Sequence, residues 1–241
     1  MRTTLTVLSA ALLLWAGASI AQAQNRQTER FEVSSIKAVR PTLEKTISAL
    51  QKQDLAGAKE AFEAYDSGWN GIEMYVNRRY PAVYTELERN YQDKIAKGLN
   101  EPNPNIQASI ADVRAMLAKY DETISMIEKA APLSPLYDDV ARLRIVRSDL
   151  RPVGPALKAG DLAKARKSFD AFHHNWEGVE EMVQGRSREN YDFIEKSVHD
   201  IDASFKQDKP NVEQLTKMVS DMTLKYNLVL AELNKEAQAT K

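Results

Sequence analysis

The chain contains no cysteine. That absence excludes disulfides, iron–sulfur clusters, c-type haem attachment, cysteine nucleophiles and thiolate metal sites in one step. A metal here must be held by oxygen and imidazole, and the imidazoles are three: His173, His174 and His199. Glycine is scarce, nine in 241 residues, and no Gly-rich phosphate loop, G-x-S-x-G or H-E-x-x-H occurs. No acid, base and nucleophile set can be named, so the chain reads as no enzyme. An excess of either charge is missing too, with 33 Lys and Arg against 34 Asp and Glu. Without surplus cations to replace counterions on phosphates, nucleic acid is not an expected partner.

Long apolar runs are confined to the first residues. "MRTTLTVLSAALLLWAGASIAQA" opens with one positive charge at Arg2, continues apolar from Leu5 to Ala21 and closes on Ala21-Gln22-Ala23. That order is a secretory signal peptide, residues 1–23, with cleavage expected after Ala23 and a periplasmic product. The rival reading is an uncleaved anchor, since the run approaches the length that spans a bilayer; the small-x-small ending favours cleavage. The remaining 218 residues carry charges in every apolar stretch, so no membrane span is expected in the mature chain.

What the sequence does have is a second copy of itself. With an offset of 107, "DLAGAKEAFEAYDSGWNGIEMYV" (54–76) falls on "DLAKARKSFDAFHHNWEGVEEMV" (161–183). Asp54/Asp161, Phe62/Phe169, Trp69/Trp176, Gly71/Gly178 and Glu73/Glu180 are identical, and so are Arg40/Arg147, Tyr84/Tyr191 and Glu88/Glu195. One deletion in the following loop aligns Pro104/Pro210, Asn105/Asn211, Lys119/Lys225 and Tyr120/Tyr226. Agreement over such a span indicates an internal duplication. Apolar positions recur every three and four residues, as at Val33, Ile36, Val39, Leu43, Ile47 and Leu50, which predicts helices. Expected helices cover 33–52, Leu55 to about Val76 behind Asp54 as its cap, Pro81 to about Lys97, and 106 to before Pro132. The second set is 136–158, 161–183, 187–206 and 211–238. The expected fold is all-α: two tandem four-helix bundles, repeat 1 over 24–131 and repeat 2 over 132–241, joined at "APLSP" (131–135).

Residues shared by both copies are explained first by folding. Trp69 and Trp176 read as core anchors. Gly71 and Gly178, costing about 1 kcal/mol against Ala in a helix, predict close helix crossings. Glu73 and Glu180, one turn from a core tryptophan, need a partner or a ligand; Arg40 and Arg147 are the predicted partners, in pairs Glu73–Arg40 and Glu180–Arg147. Where the copies differ, His173, His174 and Glu177 replace Asp66, Ser67 and Asn70. His173, Glu177 and Glu180, at four and three spacings, can share one helical face. Such donors suit iron, zinc or manganese, so the candidate metal ligands are Glu73, His173, His174, Glu177 and Glu180, with His199 able to complete the set. The plain alternative is a solvated helix surface.

"AGAKEAFEAYDSGWNGIEMYV…YPAVYTELERNYQDKIAKGL" resembles the extracytoplasmic helical region of bacterial high-affinity iron permeases. The matching positions are Ala61, Ala64, Tyr65, Trp69, Ile72, Glu73 and Glu88, then Ala171, Phe172, Trp176, Val179, Glu180 and Glu195. More distantly, the chain is similar to imelysin-type periplasmic iron-uptake proteins. The permeases' Arg-Glu-x-x-Glu membrane motif is absent: "WEGVE" (176–180) lacks the arginine. The resemblance therefore implies an exported accessory that binds or delivers iron beside an inner-membrane iron permease. The alternative is a non-catalytic scaffold module that docks on a membrane transporter without metal.

Overall fold

A computed structural model describes residues 29–240; the expected signal segment lies outside them. The described residues are helical with no strand, as the three-and-four periodicity requires. In order they form α1 (Phe31–Gln51), α2 (Leu55–Arg79), α3 (Pro81–Glu86), a π-helical turn (Leu87–Gln92), α4 (Asp93–Leu99) and α5 (Ile106–Lys129). The chain continues as α6 (Leu136–Leu150), α7 (Val153–Lys158), α8 (Leu162–Trp176), α9 (Glu180–Arg186), α10 (Arg188–Phe205) and α11 (Val212–Ala239). No described helix is long and apolar enough to cross a membrane.

Local chemistry starts the helices at matching places. Asp54 accepts from the Gly57 amide at 2.9 Å and Asp161 from that of Lys164 at 2.9 Å. Asn105 and Asn211 do the same for Ala108 and Gln214, each at 3.1 Å. Each cap satisfies a backbone donor that the first helical turn leaves free. Pro81 opens α3 at its first position, where no amide is needed.

Three expected helices are broken. Pro152 divides 136–158 into α6 and α7, because it lacks an amide for the ladder. The third helix carries the π turn at Leu87–Gln92. Most consequentially, 161–183 ends at Trp176 and restarts at Glu180. There the amides of Gly178 and Val179 reach back only three residues, to Asn175 and Trp176. The matching stretch of α2 runs through unbroken.

Gly71 shows why. A Cβ there would sit 2.6 Å from Ile145 Cγ1 and 3.3 Å from its backbone, so α2 lies directly on α6, as a close crossing demands. At Gly178 the only atom within 4 Å is Asn175 O of its own turn, at 3.4 Å. The expected second crossing is not made, and nothing clamps the helix straight.

The core follows the periodicity. Trp69, Tyr65, Tyr120 and Phe172 are fully buried and Trp176 and Tyr226 nearly so. Tyr120 donates to Ile36 O at 2.9 Å and Tyr226 to Leu143 O at 2.8 Å, so each buried hydroxyl spans two helices and is satisfied. Residues from α1 through α11 belong to a single hydrophobic cluster. Beside the link between α5 and α6, Arg79 and Glu32 pair at 2.6 Å with exposures of 9% and 3%. Arg30 lies 2.9 Å from the same carboxylate and binds the Ile127 and Ala130 carbonyls at 2.6 Å.

Candidate functional site

The two core tryptophans carry the chemistry outward. Each indole ring is buried, but its Nε1–H needs an acceptor. Trp69 donates to Glu88, on the π turn. Trp176 donates to Glu195, on α10, at 2.9 Å. The indole thus holds one carboxylate in each set of helices at the edge of the core.

Around Glu195 the structure gathers further ligand-type groups. Burial first, then Glu195, hold the Glu180 carboxyl above its ordinary value. His199 Nε2 lies 3.0 Å from the other Glu195 oxygen, one turn along α10. The half-buried His173 ring stands edge-on to His199, centroids 6.4 Å apart.

Around Glu88 the positions are the same and the residues differ. Asp66 stands where His173 does and Gln92 where His199 does; Gln92 donates to Asp66 at 2.7 Å. Burial raises the Glu88 carboxyl, the Trp69 indole opposes, and Asp66 and Asp93 add to the rise. The Tyr65 hydroxyl, fully buried, has no hydrogen-bond partner; its counterpart is Phe172.

The five sequence candidates are not one set. Glu180 and His173 lie in the Glu195 group. His174 and Glu177 are exposed, and the break at Glu177–Val179 removes the regular helix on which His173, Glu177 and Glu180 were to share a face. Glu73 is engaged elsewhere. The predicted pair Glu73–Arg40 is not formed: Arg144 Nη1, from α6, meets Glu73 at 3.1 Å, while Arg40 binds Asp121 and Glu44 at 2.5 Å. Glu180–Arg147 is not formed either, since Arg147 donates to Asn227 at 3.2 Å. The repeat compared with itself offers only Arg40, whereas the α2–α6 crossing supplies Arg144 from the other copy. Burial raises the Glu73 carboxyl and Arg144 draws it back.

The site reading missed Glu88 and Glu195 as ligand candidates, although their identity at the 107 offset marked them. Among the described residues no group of three or more His, Asp or Glu is already arranged to hold a metal ion. What the second set of helices does gather is Glu195 bound to Trp176 and His199, with Glu180 and His173 beside them. Comparison of the chain with family models, curated proteins and solved structures gave no match.

Proposed function

We propose that the chain is an exported metal-binding protein, an accessory of an iron-uptake system working beside an inner-membrane iron permease, and built of two tandem four-helix-bundle repeats. The matched caps, the matched tyrosine hydroxyl bonds and the paired Trp–Glu bonds support the duplication. The resemblance to the permease's soluble region supplies iron as cargo. One observation carries the metal reading: Glu195, fixed by the Trp176 indole at 2.9 Å, holds His199 at 3.0 Å on its other oxygen, with the His173 ring 6.4 Å from that of His199 and Glu180 as the neighbouring carboxylate. Two carboxylates held together repel unless a proton or a cation sits between them. A cation replacing that proton takes Glu180 and Glu195 as ligands, with His199 and His173 adjacent; His174, Glu177 and Glu73 are then outer groups. Trp176 fixes Glu195 as an orienting donor does in metal sites.

Calorimetric titration of the mature chain with Fe(II) and Zn(II), uncomplexed, tests this. Binding tighter than about 100 μM, roughly −5.5 kcal/mol, that is lost in a Glu180→Gln/Glu195→Gln variant is the expected result. Absence of such binding rejects it.

A second reading, the scaffold that docks on a transporter, draws on a different divergence. Lys119 lies 2.9 Å from Glu86 and 3.5 Å from Glu122. At the aligned positions Lys225 sits over the Phe193 ring, at 5.8 Å from its centroid, and Leu228 replaces Glu122. Phe193, Leu224 and Leu228 are exposed, Leu224 by 64%. If this reading holds, Leu224→Glu/Leu228→Glu abolishes recovery of the permease from membrane fractions, and the Glu180→Gln/Glu195→Gln variant does not.

A further inference from the structure

A chemically distinctive cavity lies away from both tryptophan sites. A cleft of about 500 Å³ opens where α2, α6 and the end of α11 meet. Asn77 and Arg78 come from the last turn of α2, Tyr137 and Arg144 from α6, and Asn234 and Gln238 from α11. Its volume falls within the roughly 300–1,000 Å³ of small-molecule sites.

The lining is rich in donors and short of negative charge. Arg78 makes no ion pair among the described residues and is exposed. Arg144 meets Glu73 through Nη1 alone, at 3.1 Å, which leaves the rest of its fork free; such a fork matches a carboxylate. Three amides add further donors. The hydroxyl of Tyr137, a residue only 4% exposed, is buried without a hydrogen-bond partner, a deficit that buried polar groups rarely carry. Two guanidinium groups against the single Glu73 carboxylate disfavour a metal cation and favour an anion.

The site also exists once. At the 107 offset Asn77 and Arg78 correspond to Gln184 and Gly185, so its cationic edge is not copied. It needs residues from both sequence copies, brought together by the Gly71–Ile145 crossing.

We propose that this cleft binds a small organic polyanion of the di- or tricarboxylate class, with Arg78 and Arg144 each taking one carboxylate and the amides taking the hydroxyl or third carboxylate. The site is independent of the metal reading.

Calorimetry on the metal-free mature chain tests it with citrate, acetate and inorganic phosphate. Citrate is expected to bind with a Kd below about 100 μM and acetate at least about tenfold more weakly. Arg78→Gln, an exposed change at a helix end, is expected to weaken citrate by about tenfold, the loss of one charge-assisted pair. Asn234→Leu gives a second, milder loss on another helix. The Glu180→Gln/Glu195→Gln variant binds citrate as the wild type does, which separates this site from the metal site. Three results overturn the proposal: no saturable heat with citrate, phosphate binding as tightly as citrate, or an unchanged affinity in folded Arg78→Gln.

Discussion

Glu180 is where the residue-scale physics is most exposed. Its carboxyl is held above the ordinary value by burial and by Glu195. An acid with a raised folded-state pKa binds its proton more tightly folded than unfolded. It therefore adds stability below the ordinary carboxylate range, and that stability is lost as pH rises through the raised value. Glu180→Gln keeps a donor for Glu195 without the charge. The variant is expected to melt higher than wild type at pH 7, with the gain shrinking towards zero as pH falls through the carboxylate range. Thermal melts across pH 4–8 check this; a lower Tm at pH 7 contradicts it. A site that gains stability when its charge is removed is one in which folding alone does not explain the charge. Trp176 makes the complementary case. Trp176→Phe keeps a buried ring but removes the donor to Glu195 and part of the packing, an expected loss of about 1–3 kcal/mol in urea melts.

At the scale of the element, Gly71 and Gly178 occupy the same place in the repeat and meet different surroundings. Gly71→Ala drives a methyl into Ile145, whose backbone stands 3.3 Å away and cannot turn aside; overpacking of this kind costs about 1–3 kcal/mol. Gly178→Ala meets only the Asn175 carbonyl of its own turn, at 3.4 Å, with no positive φ at that residue. It is expected to be neutral or to stabilise by about 0.4–1 kcal/mol through the unfolded chain. Equal losses in parallel urea titrations would show that the crossing does not distinguish them. The break after Trp176 belongs to the same contrast: a helix with a glycine continues where a neighbour packs on it and turns where none does. It was not legible in "WEGVE", because the 107-offset match to α2 argued for continuity.

For the molecule as a whole, the decisive feature is that the core does not stop at the link between α5 and α6. The α2–α6 crossing, the Glu73–Arg144 pair and the cleft beside them all join the two sequence copies. Unfolding should therefore be one event. Among the described residues there are two tryptophans, Trp69 and Trp176, one in each copy. Urea midpoints from Trp69→Phe and Trp176→Phe, each leaving one described tryptophan as reporter and each compared with its own circular-dichroism transition, are expected to agree with that transition; separate fluorescence transitions would show two independent units. Beside that junction, Arg79→Met leaves the buried Glu32 carboxylate with Arg30 alone. A loss of about 3–5 kcal/mol is expected for breaking such a buried pair, measurable by the same titration.

The sequence by itself determined that the segments are helical, where helices start and which faces turn inward, though not where three of them break. Those depend on spacing within one segment: Asp54, Asn105, Asp161 and Asn211 cap helices because a carboxylate or amide three residues before a free amide needs nothing else. The tryptophan anchors were equally legible, since a large apolar ring on an apolar stripe has one stable place. Only the tertiary structure decided which acid meets which base. Arg144 rather than Arg40 reaches Glu73, and Arg147 turns to Asn227 rather than to Glu180. Charge pairing is set by distances of a few ångströms between segments far apart in the chain, and a repeat compared with itself contains no record of the surface on which the other repeat lands.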